Sequence, residues 1–522
     1  MTPILTKSQK VAQLFFPAAF VHDTEENYLE LENLIKSEEI GGLTFFHSRI
    51  SAAANFEKRQ ETLDVSGTLE KLILLINRYQ EASKIPLIIS IDGEFGLAMR
   101  IEETPAYPYA ISLGGISLEG EKQVEEVGYK MGLDMKSAGI HLNLAPCADV
   151  NTNPLNPVIG YRSFGTDTNT VARLALAAYK GLTKAGIGAC LKHFPGHGDT
   201  HVDSHLGLPV VNKTKEELVA EELYPFQYGI DHDVEMIMVG HLAVPALSNG
   251  KEIAASISRE IITDLLKNEM GFKGIVISDA LNMKAVSNLF PTPGHLEWEA
   301  FHAGNDILCF SENVKEGIQM ISEKASDEEI NLVFEKILEL KRKLGVLERR
   351  HIDIPKFNWE NHEKFLEKLS KEFLCQLNGE INSINIRDLG ESGNLGHRSF
   401  PSKDETVFSS LLQEAFGRNL SEVSDKKANL IIISLFVPSA KPINQFGLSD
   451  EVLEEIAELA HTKNCILYLF GNPLALRLLG DITLFKSVVV AYQSFDATQR
   501  VAIKHLMGEW KAIGKMSVNL YD

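Results

Sequence analysis

The segment GIVISDALNMKAV, residues 274–286, begins with a short apolar run and continues with Asp279 and a stretch of helical period. The same order recurs through residues 1–350. Uniformly apolar runs that alternate with helical patterns are typical of parallel strands buried on both faces. The predicted strands are residues 14–20, 41–46, 86–91, 140–144, 190–193, 235–239, 274–278 and 306–310, and the predicted helices are residues 69–83, 121–137, 168–185, 215–231, 259–268 and 326–350.

Eight such strands favour a (β/α)8 barrel, in the α/β class, over the competing doubly wound sheet. A barrel keeps its active site at the carboxyl ends of its strands. Polar and charged residues follow most of the strand runs here, although any one of them could instead cap the next helix. These residues are Asp92, Asp149, Lys192, His193, His241 and Asp279.

The pattern changes after residue 350. Residues 351–365 are predicted to be a linker, and a smaller α/β domain is predicted beyond it. We therefore expect two domains, residues 1–350 and 351–522. The second contains predicted strands at residues 429–436, 465–470 and 487–492 and predicted helices at residues 450–461 and 497–507.

The composition excludes several classes of protein. With 44% hydrophobic and 23% charged residues, the chain is typical of globular proteins. The 71 acidic and 51 basic residues give a net charge of −20, which repels nucleic acid and anionic membranes. Neither a long apolar run nor a leader pattern occurs, so we expect no membrane insertion. Five separated cysteines without a CxxC pair favour a cytoplasmic location over a disulfide framework.

The segment KHFPGHGDTHVDSHLGLP, residues 192–209, has a histidine at every fourth position. On a helix this spacing would align four imidazoles as a metal site. Proline and glycine between them break such a helix, so we expect a loop that leaves a strand. A zinc site built from that loop remains an alternative. The histidines are His193, His197, His201 and His205, and the helix breakers are Pro195, Gly196 and Gly198.

The same segment contains Asp203, Ser204 and His205. Adjacent residues on an extended chain point to opposite sides, so Asp203 and His205 share a face and Ser204 does not. A carboxylate beside an imidazole suits proton transfer near neutral pH, and we interpret the pair as an Asp–His dyad. A solvated polar loop is the alternative.

Two motifs place carboxylates after predicted strands. Asp279 could serve as a nucleophile, a general base or a helix N-cap. IDGEFGLAMR, residues 91–100, presents Asp92 and Arg100 around a tight turn, and a surface salt bridge between Glu94 and Arg100 is the alternative. A third motif, the loop of residues 153–165, presents Arg162, which could bind an anion or be solvated.

Together these motifs resemble glycoside hydrolase family 3, and specifically its bacterial β-N-acetylglucosaminidase (β-hexosaminidase) branch of two-domain type. K-H-F-P-G-H-G, four residues and D-S-H are matched in full at residues 192–205. IDGEFGLAMR, RSFG, ISDAL and VVVAYQSFDATQR match in order. The resemblance implies a (β/α)8 TIM-like barrel, residues 1–350, followed by an α/β sandwich domain, residues 351–522.

The resemblance also implies roles for individual residues. Asp279 would be the nucleophile that forms a glycosyl-enzyme intermediate. His205 would be the general acid/base and Asp203 its orienting partner, in place of the second carboxylate of most retaining glycosidases. No metal and no cofactor is implied. The residues that would hold the terminal N-acetylglucosamine are Asp92, Arg100, Arg162, Lys192 and His193.

The sequence departs from the family pattern at three positions. Gly93 and Phe95 replace a glutamine and a glycine of the family's D-Q-E-G-G motif, and this changes the expected shape of the pocket. His201 stands where an aspartate is frequent.

The implied activity is that of a cytoplasmic, retaining exo-β-N-acetylglucosaminidase acting on cell-wall muropeptide or chitin-oligomer fragments. A β-N-acetylglucosaminide phosphorylase is the nearest alternative, because a histidine acid/base tolerates phosphate as the acceptor. A zinc-dependent hydrolase and a non-catalytic sugar-binding protein are two further alternatives. We expect the loop that carries Asp203 and His205 to close over the substrate.

Overall fold

The computed structural model describes residues 5–48, 67–117, 120–200, 207–379, 381, 384, 386–401, 405–417, 420 and 428–521. The chain divides into two compact units, and the second takes up two segments from within the first 350 residues. The first unit comprises Met1–Tyr107, Val124–Val150 and Val171–Phe357, and the second comprises Pro108–Gln123, Asn151–Thr170 and Asn358–Asp522.

Several α-helices begin at a residue whose side chain caps the first turn. The helix Asp327–Lys343 is an example: Ser326 and Glu329 form a capping box at its start, and Lys341, Arg342 and Lys343 occupy its last turn. The α-helices are α1 Lys7–Ala12, α2 Glu25–Glu38, α3 Thr68–Ala82, α4 Ala110–Leu113, α5 Gly120–Ser137, α6 Thr168–Lys184, α7 Lys215–Ala220, α8 Tyr224–Ile230, α9 Lys284–Ser287, α10 His295–Ala303, α11 Val314–Lys324, α12 Asp327–Lys343, α13 Trp359–Phe373, α14 Ile386–Glu391, α15 Val407–Phe416, α16 Asp450–Thr462 and α17 Asp496–Leu506.

A π-helix and several short 3-10 helices complete the helical structure. The π-helix covers Glu260–Glu269. The 3-10 helices are Leu97–Met99, Gly160–Arg162, Pro245–Leu247, Ala255–Ile257, Gln445–Gly447, Pro473–Leu479 and Ile482–Leu484.

The strands of the first unit are short and mostly buried, as the uniformly apolar runs predicted. They are β1 Phe15–Phe16, β2 Ala18–His22, β3 Gly42–Ser48, β4 Ile88–Ile91, β5 Leu142–Asn143, β6 Gly188–Ala189, β7 Leu191–Phe194, β8 Met236–Val239, β9 Ile275–Ser278 and β10 Leu308–Cys309.

All strand pairings in the first unit are parallel. The order is β2-β3-β4-β5-β6 in one sheet and β7-β8-β9 in another, while β1 pairs with β10. An α/β fold with parallel sheets is therefore confirmed. Among the described residues the pairings form separate sheets and not one closed barrel, so the (β/α)8 barrel stays a prediction.

The apolar core of the first unit contains side chains from most of these strands. Phe310 meets Phe20 and Phe46 edge to face, with ring centroids 6.2 and 5.5 Å apart. Such aromatic pairs add to the hydrophobic gain of burial. Others in the same cluster include Phe16, Ile88, Leu142, Met236, Ile277 and Cys309.

The second unit contains one five-stranded sheet in the order β11-β15-β14-β13-β12, in which only β11 runs antiparallel to its neighbour. Its core packs α15 and α17 against the central strands, through Phe408, Tyr468 and Val501. The strands are β11 Cys375–Asn378, β12 Leu395–Phe400, β13 Leu430–Phe436, β14 Asn464–Phe470 and β15 Ser487–Val490.

Two predicted helices and the predicted linker were wrong in extent. The single helix predicted over residues 215–231 is two, α7 and α8, because Pro225 opens the second and cannot continue the first. The helix predicted over residues 326–350 ends at Lys343, and Gly345 adopts a positive φ of 66° just beyond it. The predicted linker, residues 351–365, contains the start of α13, which Asn358 caps.

Cysteine pairing and membrane crossing can both be assessed in the described residues. No disulfide links the five cysteines, all of which are buried. None of the helices within the described ranges has the length and apolar character needed to cross a bilayer.

Candidate active site

Four of the predicted site residues lie in β7 or directly after a strand of the first unit. Asp92 follows β4, Asp279 follows β9, and Lys192 and His193 lie within β7. The carboxyl ends of parallel strands are where α/β proteins place their ligands.

Asp92 is held by two cations. Arg100 Nη2 donates to Asp92 Oδ2 at 2.7 Å, and Lys192 Nζ donates to Asp92 Oδ1 at 2.6 Å. Lys192 also pairs with Glu94 Oε1 at 2.7 Å, and its side chain is only 2% exposed. Buried charges persist when they are paired in this way. A salt bridge between Glu94 and Arg100 at the surface, the alternative, is wrong in its location, because the two side chains are only 8% and 6% exposed.

The guanidinium of Arg100 is also fixed from one face. It lies 3.8 Å from the ring centroid of Phe46, whose edge contacts Phe310 in the core. A planar cation stacked on an aromatic ring loses little further freedom when it binds a carboxylate. The orientation of Asp92 is therefore set by a packed aromatic group as well as by charge.

His193 is bound to a buried carboxylate that was not among the predicted site residues. Its Nδ1 lies 2.7 Å from Oδ2 of Asp149, which is fully buried. Burial alone would raise the pKa of Asp149, but the adjacent His193 and His197 and the thiol of Cys147 outweigh it and hold the pKa well below its usual range. Asp149 is thus ionised.

This cluster contains groups of the kind that hold metal ions. Cys147, Asp149 and His193 each offer one ligand atom, and the three atoms lie within 4.8 Å of one another. However, Cys147 Sγ donates to Asp149 Oδ2 at 3.0 Å and His193 Nδ1 lies 2.7 Å from the same oxygen. Hydrogen bonds therefore account for the arrangement. Within the part of the chain that is described, His197 contacts Thr200 through Nδ1 at 2.7 Å.

Asp279 emerges from β9 with its backbone fixed to the neighbouring strand. Its amide donates to Val239 O at 3.0 Å, and its Oδ1 accepts from the amide of Ala280 at 2.8 Å. The helix that follows, α9, has Met283 as its N-cap residue. The alternative of Asp279 as a helix N-cap is therefore wrong.

The surroundings of Asp279 favour its ionised form. Burial by itself raises the pKa of this carboxyl, but positive charge at His241, His193 and Lys192 and the amide of Ala280 outweigh it and lower the pKa to about 2. An ionised carboxylate beside cations at a strand end is suited to nucleophilic attack or to stabilising a developing positive charge.

His241 completes this environment. It is fully buried after β8, with Nε2 2.9 Å from the carbonyl oxygen of Ala280 and Nδ1 2.6 Å from Ser256 Oγ. Sequence reasoning noted His241, Asp149 and Glu94 at strand ends but did not choose them. Their position at the ends of predicted strands, together with the charged and polar residues near them in the sequence, could have identified them.

The remaining predicted residues are Arg162 and three residues of the segment after β7. Arg162 ends the 3-10 helix Gly160–Arg162 in the second unit, where Nη1 donates to Val158 O at 3.3 Å. Asp203, His205 and His201 lie outside the described residues, as does the expected loop displacement. The proposed assignments of all these residues rest on sequence.

Comparison with known proteins identifies relatives of this chain. Residues 6–340 match the family model described as the glycosyl hydrolase family 3 N-terminal domain. Beta-hexosaminidase A of Pseudoalteromonas piscicida is 37% identical over 291 residues, which cover 53% of this chain and 47% of that protein. A beta-hexosaminidase of Xylella fastidiosa (strain M23) is 30% identical over 284 residues, 52% of this chain and 79% of that protein.

A solved structure matches the whole length of the chain. The glycoside hydrolase family 3 beta-N-acetylglucosaminidase from Paenibacillus sp. str. FPU-7 has a TM-score of 0.77 and 25% identity, and the match covers 99% of both chains. The chain spans about half the length of the Pseudoalteromonas relative. These matches support glycoside hydrolase activity and confirm the predicted family. The chain belongs to glycosyl hydrolase family 3.

Proposed function

We propose that this protein is a retaining exo-β-N-acetylglucosaminidase that releases terminal β-linked N-acetylglucosamine from muropeptide or chitin-oligomer fragments. The observation that carries the proposal is the position of Asp279 directly after β9, with Oδ1 accepting from the amide of Ala280 and with His241, His193 and Lys192 lowering its pKa. The β-hexosaminidase relatives support the same activity.

The proposed reaction has two steps. In the first, a carboxylate oxygen of Asp279 attacks the anomeric carbon, the glycosidic bond breaks, and His205 gives its proton to the leaving oxygen. In the second, water attacks the glycosyl ester, His205 takes the water's proton, and the Asp279 carboxylate leaves. Two inversions at the anomeric carbon give net retention. Asp203 would orient the imidazole of His205.

The remaining residues would position the sugar. Asp92 would accept hydrogen bonds from sugar hydroxyls, and Lys192 and His193 would donate to them. Arg162 stays a sugar-binding candidate on the family resemblance alone. Such groups hold the anomeric carbon in line with Asp279 and raise the rate by removing the entropy cost of alignment.

The first unit contains a cavity of about 1260 Å³ that could hold the rest of the substrate. Asn282, Met283 and Lys284, which closely follow Asp279 in the chain, are among the residues that line it. Phe310 lines it as well and links it through Phe46 to the Arg100 guanidinium. We propose that the group bonded to the terminal sugar occupies this cavity. The cytoplasmic location stays a prediction.

The activity can be tested on purified protein. An aryl β-N-acetylglucosaminide, chitobiose and a muropeptide are incubated with and without phosphate, and the first-formed anomer is identified by NMR. We expect β-N-acetylglucosamine from at least one substrate with no need for phosphate. A sugar 1-phosphate product would establish the phosphorylase, which the comparisons do not favour. No turnover of any substrate would refute the proposed function.

The nucleophile is tested separately by Asp279→Ala. We expect turnover to fall by about a thousandfold or more while the melting temperature shows that the fold is intact. Near wild-type turnover would exclude Asp279 as the nucleophile. A dead variant that is also unfolded would be repeated as Asp279→Asn, which retains the side-chain volume.

A further inference from the structure

We propose that Asp149 is a positioning residue that acts on the reaction through His193, fixing the orientation and the tautomer of its ring. The inference rests on the proposed function, because it assigns a role within that reaction. Asp149 itself need not touch the sugar.

The geometry of Asp149 is that of a carboxylate held from both sides. Oδ1 accepts from the amides of His193 at 3.2 Å and His197 at 2.7 Å, and Oδ2 accepts from the thiol of Cys147 at 3.0 Å. The His193 amide also lies 3.2 Å from Oδ2. Because every partner is supplied by the fold and the residue is fully buried, the carboxylate has one orientation.

That orientation determines which nitrogen of His193 carries a proton. An ionised carboxylate can only accept, so Nδ1, 2.7 Å away, must be the donor. Nε2 is then directed away from Asp149. Asp149 thus selects the tautomer of the ring.

His193 affects the pKa of Asp279, the proposed nucleophile. Three groups, His241, His193 and Lys192, supply the positive charge that favours the Asp279 carboxylate. Loss of the Asp149 charge weakens one of the three, so Asp279 would become harder to ionise. The titratable groups facing His193 are Asp149, Cys147, His197 and Asp279, with Lys192 adjacent in the chain.

A purely structural role would make a different prediction. A buried aspartate that only ties segments together affects stability, and its loss leaves the ionisation of Asp279 unchanged. Asp306 is such a residue: it is 1% exposed, accepts from the amide of Val276 at 2.8 Å, and lies near Lys336. It therefore provides a matched control from the same unit.

The experiment compares Asp149→Asn, Asp149→Glu and Asp306→Asn with the wild type on the aryl substrate. For Asp149→Asn we expect kcat to fall at least about tenfold and the acid limb of the kcat/KM profile to move up by about one pH unit. Asp149→Glu should recover part of both effects because it restores the charge. Asp306→Asn should change the melting temperature and leave the acid limb in place.

A second measurement does not depend on activity. The imidazole nitrogens of His193, assigned by the signal lost in His193→Gln, should report a protonated Nδ1 in the wild type, and Asp149→Asn should remove that preference. An unchanged acid limb and an unchanged Nδ1 signal in Asp149→Asn would overturn the inference. Failure of the wild type to cleave any substrate would refute the proposed function instead, while the NMR result would still test the Asp149–His193 contact.

Discussion

His241 Nε2 lies 2.9 Å from the carbonyl oxygen of Ala280, the residue that follows Asp279. The carbonyl can only accept, so Nε2 carries a proton. The contact therefore fixes the backbone beside the carboxylate and places a potential positive charge near it. These two effects, orientation and charge, can be separated by substitution.

We expect His241→Gln to retain a hydrogen-bond donor and lose the charge. Asp279 has a pKa lowered to about 2, and His241 is the largest of the favourable contributions. Without that contribution the pKa of Asp279 rises, so activity near pH 4 should fall more than activity near pH 7. His241→Ala, which loses the donor as well, should be slower at both pH values. Identical pH profiles for wild type and His241→Gln would show that His241 acts by orientation alone.

Much of the site could be predicted from local sequence. A carboxylate or cation directly after an apolar run marks the end of a parallel strand, and the family resemblance then selected Asp92, Lys192, His193 and Asp279 from the residues with this pattern. The pattern could not predict which of these residues contact one another. Lys192 contacts Asp92 across 100 residues and His193 contacts Asp149 across 44, and such pairings depend on the order of the strands in the sheets.

For the fold, too, local features could be predicted from the sequence and long-range ones could not. Strand positions followed from uniformly apolar runs, because burial on both faces leaves a clear local signal. The two segments that join the second unit, Pro108–Gln123 and Asn151–Thr170, left none, since their membership depends on distant parts of the chain. The helix break before Pro225 was predictable from proline's missing amide and was overlooked.

We expect the burial of Lys341 to make the stability of the protein depend on pH. It is fully buried, its Nζ donates to Gln13 Oε1 at 2.6 Å and Pro86 O at 2.7 Å, and burial lowers its pKa to about 7. The unfolded chain takes up this proton at higher pH than the folded one. The free energy of unfolding should therefore decrease as pH falls from about 10.5 to 7 and level off below, with a total change of at most about 5 kcal/mol.

The measurement is urea unfolding at several pH values for the wild type and Lys341→Met. The methionine cannot be protonated, so this part of the pH dependence should disappear. The oxygens of Gln13 and Pro86 lose their hydrogen-bond donor in the variant, and this should lower its stability at alkaline pH. If the wild type were equally stable at pH 7 and pH 10, Lys341 would have to keep its charge in the folded protein.

The proposed position of the leaving group, in the cavity that Leu34 lines, is tested by filling that cavity. Leu34 and Leu29 lie on the same helix, α2, but Leu34 lines the cavity and Leu29 is 47% exposed elsewhere. We expect Leu34→Trp to raise KM for a substrate with a long leaving group and to leave the small aryl substrate unaffected. Leu29→Trp is the matched control and should change neither. Equal effects of Leu34→Trp on both substrates would mean that the leaving group lies elsewhere.

The proposed role of His205 as proton donor is tested with leaving groups that differ in their need for protonation. A sugar alkoxide must be protonated as it leaves, whereas an activated phenol leaves without help. For His205→Ala, the first step should therefore slow greatly with chitobiose and little with the activated aryl substrate. The second step should slow for both, because the same imidazole must then take the proton of water, and a glycosyl-enzyme should accumulate and be detectable by mass.

Asp203→Ala should show this pattern more mildly, since it removes orientation and leaves the imidazole in place. The diagnostic quantity is the ratio of first-step rates on the two substrates, measured as the initial burst of product. A general loss of folding or binding lowers both rates together, but loss of a proton donor changes their ratio. Equal losses of the first step with chitobiose and with the aryl substrate would mean that His205 is not the proton donor, and another residue would have to supply the acid.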